Sequence, residues 1–301
     1  MKSILLFRLG GLGDLLVALP SANLLRRAFP GAALNLVSRR AYGELFRESR
    51  VVDAVFSADD SAWSPFLGGA ESVPGGARPG LAGYDLVVGL FQQAGTAPFF
   101  AGRRESCPAI RAVRFEPASG LSVSRFFFDR SAEIVRAFGA EAAPFETCAR
   151  WPLPTGAAPA RRSDVAVIHP GSGSAKKRWP LERFLSVMSV LQSDGRTGVL
   201  VTGEAEEGME ADLRKAIFPP GWRWAARPPL AELSRLLGSC GVYLGNDSGV
   251  THLAAACGAK VVALFRKEFI AAWSPFGTTL VLSADEVEDI SLEEVLTALH
   301  P

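Results

Sequence analysis

The chain has 301 residues, of which 48% are hydrophobic and 21% are charged, and its formal net charge at pH 7 is +1. This length and apolar content suit a soluble globular protein with two ordinary domains, each large enough for a substantial core. A nearly neutral chain without a basic tail or patch argues against a nucleic-acid partner.

The amino terminus and the cysteine content predict a cytoplasmic protein. The apolar run at residues 3–7 is too short for the hydrophobic region of a signal peptide, and Arg8 interrupts it. Residues 86–102 form the longest uncharged apolar segment, but two glutamines and a proline make it a poor membrane span, so any membrane contact is expected to be peripheral. The cysteines lack CxxC spacing and the histidines lack HxxH spacing, which predicts reduced thiols and no protein-bound metal.

The first half of the chain alternates strand-like and helix-like segments. Strands are predicted at residues 3–9, 33–37, 51–56 and 84–90, and helices at 15–29, 42–47 and 125–138. Pro20 should bend the first helix because it removes a backbone donor. The glycine turn at residues 10–14 lacks the third glycine of the GxGxxG fingerprint, so it gives no support for a dinucleotide cofactor.

Three segments of the first half lack such periodicity. Residues 61–80 contain five glycines and three prolines and are predicted to form a long mobile loop. Between two predicted elements lie four arginines that either hold an anionic acceptor or form solvated surface, namely Arg103, Arg104, Arg111 and Arg114. Residues 151–159 have the composition of a linker, which divides the chain into domains 1–155 and 160–301.

The second half repeats the alternation. Strands are predicted at residues 165–168, 198–201, 222–225, 242–244, 260–265 and 279–282, and helices from residue 181 and at 206–217, 230–237, 250–257 and 292–299. Alternation of this kind predicts parallel sheets covered by helices. The predicted fold is therefore α/β, with two doubly wound Rossmann-like domains facing each other across a cleft.

Polar turns follow four of the predicted strands, at residues 10–14, 169–180, 202–207 and 245–252. The last turn joins a buried strand to an Ala-rich helix, with Ser248 or Asp247 as the cap and with Gly249 giving a ligand access to the backbone. The free N–H groups at such a helix start attract a phosphate. Taken alone, the turn is equally typical of an ordinary capped helix.

Taken in order, these motifs resemble those of glycosyltransferase family 9, the lipopolysaccharide heptosyltransferase group with a GT-B fold. The matching segments are 8–16 (RLGGLGDLL) with Pro20, 29–32 (FPGA), 84–88 (YDLVV), 169–171 (HPG), 177–180 (KRWP) and 246–256 (NDSGVTHLAAA). They span nearly the whole chain, and the ordered set is more specific than any single segment.

The resemblance implies inverting transfer of a sugar, typically L-glycero-D-manno-heptose from its ADP derivative, to a hydroxyl of a growing lipopolysaccharide core. The second domain, 160–301, would bind the donor, and the first, 1–155, the acceptor. Asp14 is implied as the base that takes the acceptor proton, and capping of the following helix is its alternative role. The other acceptor-side candidates are Gly11, Gly13, Arg103 and Arg104.

The resemblance also implies a set of donor-binding residues in the second domain. Lys177 matches the lysine that would stabilise the diphosphate leaving group, and its neighbours Lys176 and Arg178 compete for that role. N–H groups and hydroxyls for the phosphates would come from Ser248, Gly249 and Thr251.

Further residues near these turns have less direct roles. A diphosphate would repel Asp247, so this carboxylate is assigned to a cap, ribose or sugar-hydroxyl contact. His252 is expected to be neutral because the start of a helix disfavours its protonation, and simple packing is the alternative. Glu206 or Glu207 would meet the ribose, unless both are exposed residues at a helix start. His169 and Gly171 complete the donor-side set.

Two departures from the family pattern leave the substrate open. Gly89 stands where members often have Asp or Asn, and residues 266–269 (RKEF) replace a usual Gly-Pro-Thr, which predicts a bulky loop at the nucleotide pocket. ADP-heptose remains the favoured co-substrate, without a further cofactor or metal. The alternatives are transfer of another nucleotide sugar, or a catalytically degenerate nucleotide-sugar binder. The expected site of action is the cytoplasm, including peripheral contact with the inner face of a bacterial inner membrane.

Overall fold

The computed structural model describes residues 1–60, 83–91, 109–152, 162–277 and 279–300. The chain divides into two compact units, Met1–Pro152 and Leu153–Pro301. The predicted loop at 61–80, the candidates Arg103 and Arg104, and most of the predicted linker lie outside the described residues.

The first unit contains a parallel sheet. Its described strands are β1 (Ser3–Phe7), β2 (Ala33–Ser38), β3 (Ala54–Ser57), β4 (Leu86–Phe91) and β5 (Ile110–Arg114). They lie in the order β3-β2-β1-β4-β5, so that β1 is central and its Leu5 is paired with both Asn35 and Val87. Every residue of β4 and all but the first of β1 are buried, as expected for inner strands of a sheet covered on both faces.

Helices cover this sheet at Leu12–Leu16, Leu19–Ala28, Arg40–Glu48, Val123–Ala137 and Phe145–Cys148. The single helix predicted at 15–29 is two helices, with the break at Val17 and Ala18. Pro20 lies in the first turn of the second helix, where a missing N–H costs no hydrogen bond. The expected bend is therefore a complete interruption just before the proline.

Two sequence predictions for this unit were incomplete. Strand β5 lies outside the predicted elements, and it carries Arg111 and Arg114, so these two arginines are on a strand and not in a loop. Trp151 falls in the predicted linker, but it is buried and packs edge-to-face on Phe46 with 5.3 Å between ring centroids. Trp151 therefore belongs to the core of the first unit.

The second unit repeats the winding of the first. Its described strands are β6 (Arg162–His169), β7 (Thr197–Thr202), β8 (Trp222–Ala226), β9 (Cys240–Asn246), β10 (Val261–Arg266) and β11 (Thr279–Ala284). They are all parallel, in the order β11-β10-β9-β6-β7-β8. Counted from each unit's own first strand, both sheets run 3-2-1-4-5, and the second sheet adds a sixth strand. This is the doubly wound order, which confirms the predicted fold class.

The described helices of the second unit are Leu181–Ser193, Glu210–Lys215, Leu230–Ser239, Gly249–Ala256, Lys267–Trp273 and Leu292–Leu299. The predicted helix at 206–217 is a 3-10 turn, Glu204–Met209, followed by Glu210–Lys215. The predicted loop at 266–269 is wrong, because Arg266 ends β10 and Lys267 begins a helix. Within the described residues, no helix has the length and hydropathy needed to cross a membrane.

Trp179 anchors the core of the second unit. The side chain is fully buried, lies edge-to-face on Phe184 with 5.1 Å between ring centroids, and donates from Nε1 to the carbonyl of Ile290 at 2.8 Å. Its backbone N–H donates to Oδ1 of Asn246 at the end of β9. The polar segment before Trp179 is thereby fixed beside the strand-to-helix turn that follows Asn246.

Candidate functional site

In the first unit, the turn after β1 places Asp14 in the third position of the helix Leu12–Leu16. One carboxylate oxygen accepts from the backbone N–H of Gly11 at 2.8 Å, and the other accepts from Nη2 of Arg8 at 3.1 Å. Gly10 has a φ of +110°, and a Cβ at that position would overlap the Asp14 carboxylate. The glycine turn thus supplies both the backbone conformation and the space that hold this carboxylate.

Arg8 is a functional candidate that the sequence analysis did not single out. The side chain is buried at the end of a central strand, and its guanidinium donates to the carbonyls of Asp14 and Leu90 as well as to the Asp14 carboxylate. Burial lowers the pKa of Arg8 to about 10, while Asp14 opposes that change. The signal in the sequence was a charge at the end of an apolar strand, which indicates a buried partner.

The Asp14 carboxylate combines a capping contact with an open side. It caps the N–H of Gly11, and its side chain is still 28% exposed. A carboxylate that is fixed in orientation and open to solvent on one side has the geometry that a general base needs. The geometry alone does not separate this role from that of a structural ion pair.

In the second unit, the turn after β9 leads into the helix Gly249–Ala256. Ser248 is the cap, since its Oγ accepts from the N–H of Thr251 at 3.3 Å. Among the described residues, no acceptor bonds to the N–H groups of Gly249 or Val250, and both residues are partly exposed. Two free N–H groups therefore lie at the positive end of the helix dipole, as an anion site requires.

Thr251 has a structural role in this turn. The side chain is fully buried, and its hydroxyl donates to the carbonyl of Asn246 at 2.5 Å. Since that hydroxyl has one proton, it accepts from the hydroxyl of Tyr243 at 2.9 Å. These bonds turn the hydroxyl predicted for phosphate contact toward the protein interior.

Lys177 and Asp247 form an ion pair beside the same helix start. Nζ of Lys177 lies 2.6 Å from Oδ2 of Asp247, and the exposed fractions of the two side chains are 28% and 8%. The ammonium also lies 4.2 Å from the centroid of the Phe269 ring. The Asp247 backbone is fixed by a bond from the hydroxyl of Ser172 to its carbonyl. Lys177 is therefore the cation of its segment that the structure brings to this turn.

The two neighbouring cations differ from Lys177. Arg178 donates to the backbone carbonyls of Ser172 and Ala205, so that its guanidinium ties the turn at 169–180 to the turn at 202–207. Lys176 is exposed, and it has no ion pair within the described part of the chain. Of the three cations, Arg178 mainly supports the site and Lys176 faces solvent.

His169, Gly171 and Glu206 form a second group at this edge of the sheet. Nδ1 of His169 donates to the carbonyl of Val201 at 2.9 Å, and burial lowers the pKa of this histidine. Glu206 is only 2% exposed and accepts from the N–H of Gly203 at 2.7 Å. A Cβ on Gly171 would lie 2.6 Å from Cγ of Glu206, so glycine is needed for the carboxylate to pack there.

The two candidate ribose ligands, Glu206 and Glu207, have opposite environments. Glu207 is 64% exposed and pairs with Arg227, as a glutamate on the surface of a helix start does. Glu206 lies inside, beside the polar segment that follows β6. His252 is buried in the first turn of the helix Gly249–Ala256.

Asn246 is a second residue whose role the sequence analysis did not identify. Its side chain accepts from the N–H of Trp179 at 3.1 Å and donates to the carbonyl of Pro170 at 2.8 Å. One amide therefore fixes both ends of the segment that carries Lys177. No group of three or more metal-ligating side chains occurs in the portion of the chain that the structure describes.

Comparison with known proteins gives consistent results. Residues 138–294 match the family model for glycosyltransferase family 9 (heptosyltransferase). Lipopolysaccharide heptosyltransferase 3 of Escherichia coli is 24% identical over 121 residues, which cover 39% of this chain and 36% of that protein. The match thus spans about a third of the curated relative.

Solved structures resemble the chain over almost its whole length. A family 9 glycosyltransferase from Veillonella parvula has a TM-score of 0.70 at 17% identity, with 99% of this chain and 95% of that chain covered. The ADP-heptose lipopolysaccharide heptosyltransferase II of E. coli has a TM-score of 0.69 at 17% identity, with 99% and 97% covered. E. coli heptosyltransferase WaaC with ADP has a TM-score of 0.70 at 16% identity, with 98% of each chain covered. At these identities the likeness shows the fold.

Proposed function

The chain belongs to glycosyltransferase family 9, and we propose that it transfers a sugar from a nucleotide-diphosphate donor to a hydroxyl of a lipopolysaccharide core or similar cell-surface glycan. The observation that carries this proposal is the turn at the start of Gly249–Ala256, where two unpaired N–H groups and the Lys177 ammonium occur together. Heptose from ADP-heptose is the favoured sugar, because two solved structures of similar fold are of WaaC with ADP and with ADP-2-deoxy-2-fluoro heptose.

The donor diphosphate would lie at this turn. The N–H groups of Gly249 and Val250 and the hydroxyl of Ser248 would bind phosphate oxygens, and Lys177 would offset their charge. Negative charge grows on the diphosphate as the bond to the sugar breaks, so these groups would bind the transition state more tightly than the ground state. They would supply the charge compensation without a metal ion.

Asp14 would act as the base in a single displacement that inverts the anomeric centre. Its carboxylate would take the proton of the acceptor hydroxyl while the acceptor oxygen forms its bond to the anomeric carbon and the diphosphate leaves from the opposite face. Arg8 and the N–H of Gly11 would hold the carboxylate in one orientation during this step. Arg8 would also balance the negative charge of Asp14 before the proton arrives.

The remaining residues have supporting roles in this proposal. Glu206 is the candidate ligand for the ribose hydroxyls, since its carboxylate lies beside Gly171 in the turn after β6. Asp247 would keep Lys177 oriented rather than touch the diphosphate, which carries the same sign of charge. The enzyme would act in the cytoplasm, with an acceptor presented at the inner face of the inner membrane.

One observation favours a different nucleotide sugar as the alternative. The helix Lys267–Trp273 replaces the short Gly-Pro-Thr loop that the resemblance implies, and it brings an aromatic ring against Lys177. A changed wall beside the phosphate-binding lysine suits a donor other than ADP-heptose.

Mass-spectrometric turnover with ADP-, UDP- and GDP-sugars and a set of core acceptors tests the proposal. Product from ADP-heptose would support heptosyl transfer, and product only from another donor would support the alternative. Binding of nucleotide sugars without product in any combination would instead identify a catalytically degenerate binder.

A further inference from the structure

We infer that Phe269 is a positioning residue for the Lys177 ammonium, and that this contact gives the site part of its affinity for the donor diphosphate. The inference rests on the proposed function, and it concerns a residue at which the chain departs from the pattern of its family. Phe269 does not need to touch the donor in this role, because it acts through Lys177.

Two groups on different elements fix the ammonium. The Asp247 carboxylate lies 2.6 Å from Nζ, and the centroid of the Phe269 ring lies 4.2 Å from the same atom. An ammonium has three N–H donors, of which Asp247 takes one, while the electron-rich face of the ring covers another side. The lysine side chain is 28% exposed, so Asp247 and the ring do not enclose it completely.

The segment that carries Phe269 is itself tied down. Arg266 pairs with Glu268 at 3.0 Å and with Glu286 at 2.9 Å, and it donates to the carbonyl of Asp285 at 3.0 Å. These contacts join the end of β10 to the residues that follow β11, and the helix Lys267–Trp273 begins at that point. The ring is therefore presented by a braced segment.

This arrangement prepares a flexible cation for an anion. A lysine loses much rotamer freedom when it is immobilised, and a site that fixes it beforehand avoids that cost on binding. The ring also excludes water from one side of the ammonium, which strengthens its attraction for a phosphate on the other side. Because the ring face repels anions, the phosphate would approach from the open side, toward the free N–H groups of the neighbouring helix.

The test compares the wild-type protein with Phe269→Leu, Phe269→Tyr and Phe269→Trp. Calorimetric binding of ADP and of inorganic pyrophosphate is measured for each, together with KM for donor and acceptor. Phe269→Leu should weaken both probes by about three- to thirtyfold, which is the range of a partly buried cation–π contact, and should raise the donor KM more than the acceptor KM. Phe269→Tyr and Phe269→Trp keep an aromatic face and should retain most of the wild-type affinity for both probes.

A double-mutant cycle with Lys177→Ala tests whether the ring acts through the lysine. In the Lys177→Ala background, Phe269→Leu should cause no further loss of pyrophosphate affinity. Equal losses in both backgrounds would overturn the inference, and so would an ADP affinity that falls while pyrophosphate affinity is unchanged, since that result identifies a nucleoside contact. If the folded wild-type protein binds neither probe, the donor site itself is wrong and the inference falls with it.

Discussion

Replacement of Gly171 by Ala should destabilise the second unit, whereas the same change two residues away should not. A Cβ at Gly171 would lie 2.6 Å from Cγ of Glu206 and closer still to its carboxylate. Glu206 cannot simply move aside, because it is buried and bonded to the N–H of Gly203. The same methyl group on Gly173 would meet nothing within 4 Å. Gly171→Ala and Gly173→Ala are therefore a matched pair that differ in the space available.

The expected magnitude follows from overpacking. Forcing an extra carbon into a filled site costs about 1–3 kcal/mol. For a unit of this size, each kcal/mol lowers the melting temperature by about 2–4 °C, so Gly171→Ala should melt roughly 2–12 °C below wild type. Gly173→Ala should stay within about 0.5 kcal/mol of wild type, as most surface changes do. Differential scanning calorimetry measures both.

The same pair also tests the role of Glu206. If this carboxylate binds the ribose, its displacement in Gly171→Ala should weaken ADP binding, while Gly173→Ala should bind ADP as wild type does. Equal melting temperatures for the two variants would refute the reasoning about packing. A destabilised Gly171→Ala with unchanged ADP affinity would refute only the ribose contact.

Three further changes address the reaction and the pH dependence of stability. Asp14→Asn should lower turnover by about a hundredfold or more, because a general base contributes a rate factor of that size, while donor affinity stays nearly intact. An unchanged rate in steady-state kinetics would leave Asp14 with a capping role alone. Lys177→Ala should weaken ADP binding and raise the donor KM more than the acceptor KM. Lys176→Ala, at the exposed neighbour, is the control and should have the smaller effect. A larger effect of Lys176→Ala would move the phosphate site to that residue. The carbonyl of Leu296 and the carboxylate of Asp194 raise the pKa of His300. The contribution of His300 to the stability of the folded state is therefore full below the ordinary histidine pKa of about 6.5, and it is lost as pH rises through the raised value. In thermal melts, the small stability difference between wild type and His300→Gln should therefore be greatest near pH 5 and should shrink above pH 7. A stability difference that grows with pH would contradict this prediction.

The alternation of strands and helices could be predicted because inner strands of a parallel sheet are apolar on both faces. β4 and β9 read as apolar runs, and the structure buries all of β4 and every residue of β9 except Gly241. β5, by contrast, could not be recognised from an apolar run. Its sequence, Ile110–Arg114, has two arginines, and only one of its five residues is buried because the strand lies at the edge of the sheet.

The segment after β10 was predicted wrongly because the family pattern outweighed local propensity. Residues 267–273 (KEFIAAW) are mostly good helix formers, and Ser274 before Pro275 is a natural place for the helix to end. The structure has the helix Lys267–Trp273 there. Propensity was the better guide at the point where this chain departs from its relatives.

The candidate site could be predicted as a set of turns but not as a set of contacts. That Ser248 caps a helix is a local property of the sequence. The pairing of Lys177 with Asp247 joins residues 70 positions apart, and it depends on β6 lying beside β9 in the sheet. Likewise, the burial of Glu206 and the exposure of Glu207 follow from packing around Gly171, which no periodicity encodes.

The most direct test of the proposed activity is the mass of the acceptor glycan after incubation with the protein and ADP-heptose. Wild type should add one heptosyl residue to a lipopolysaccharide core acceptor, with release of ADP, whereas Asp14→Asn and Lys177→Ala should form little product in the same time. An acceptor of unchanged mass with every nucleotide sugar tried, from a folded protein that binds ADP, would contradict glycosyl transfer as its function.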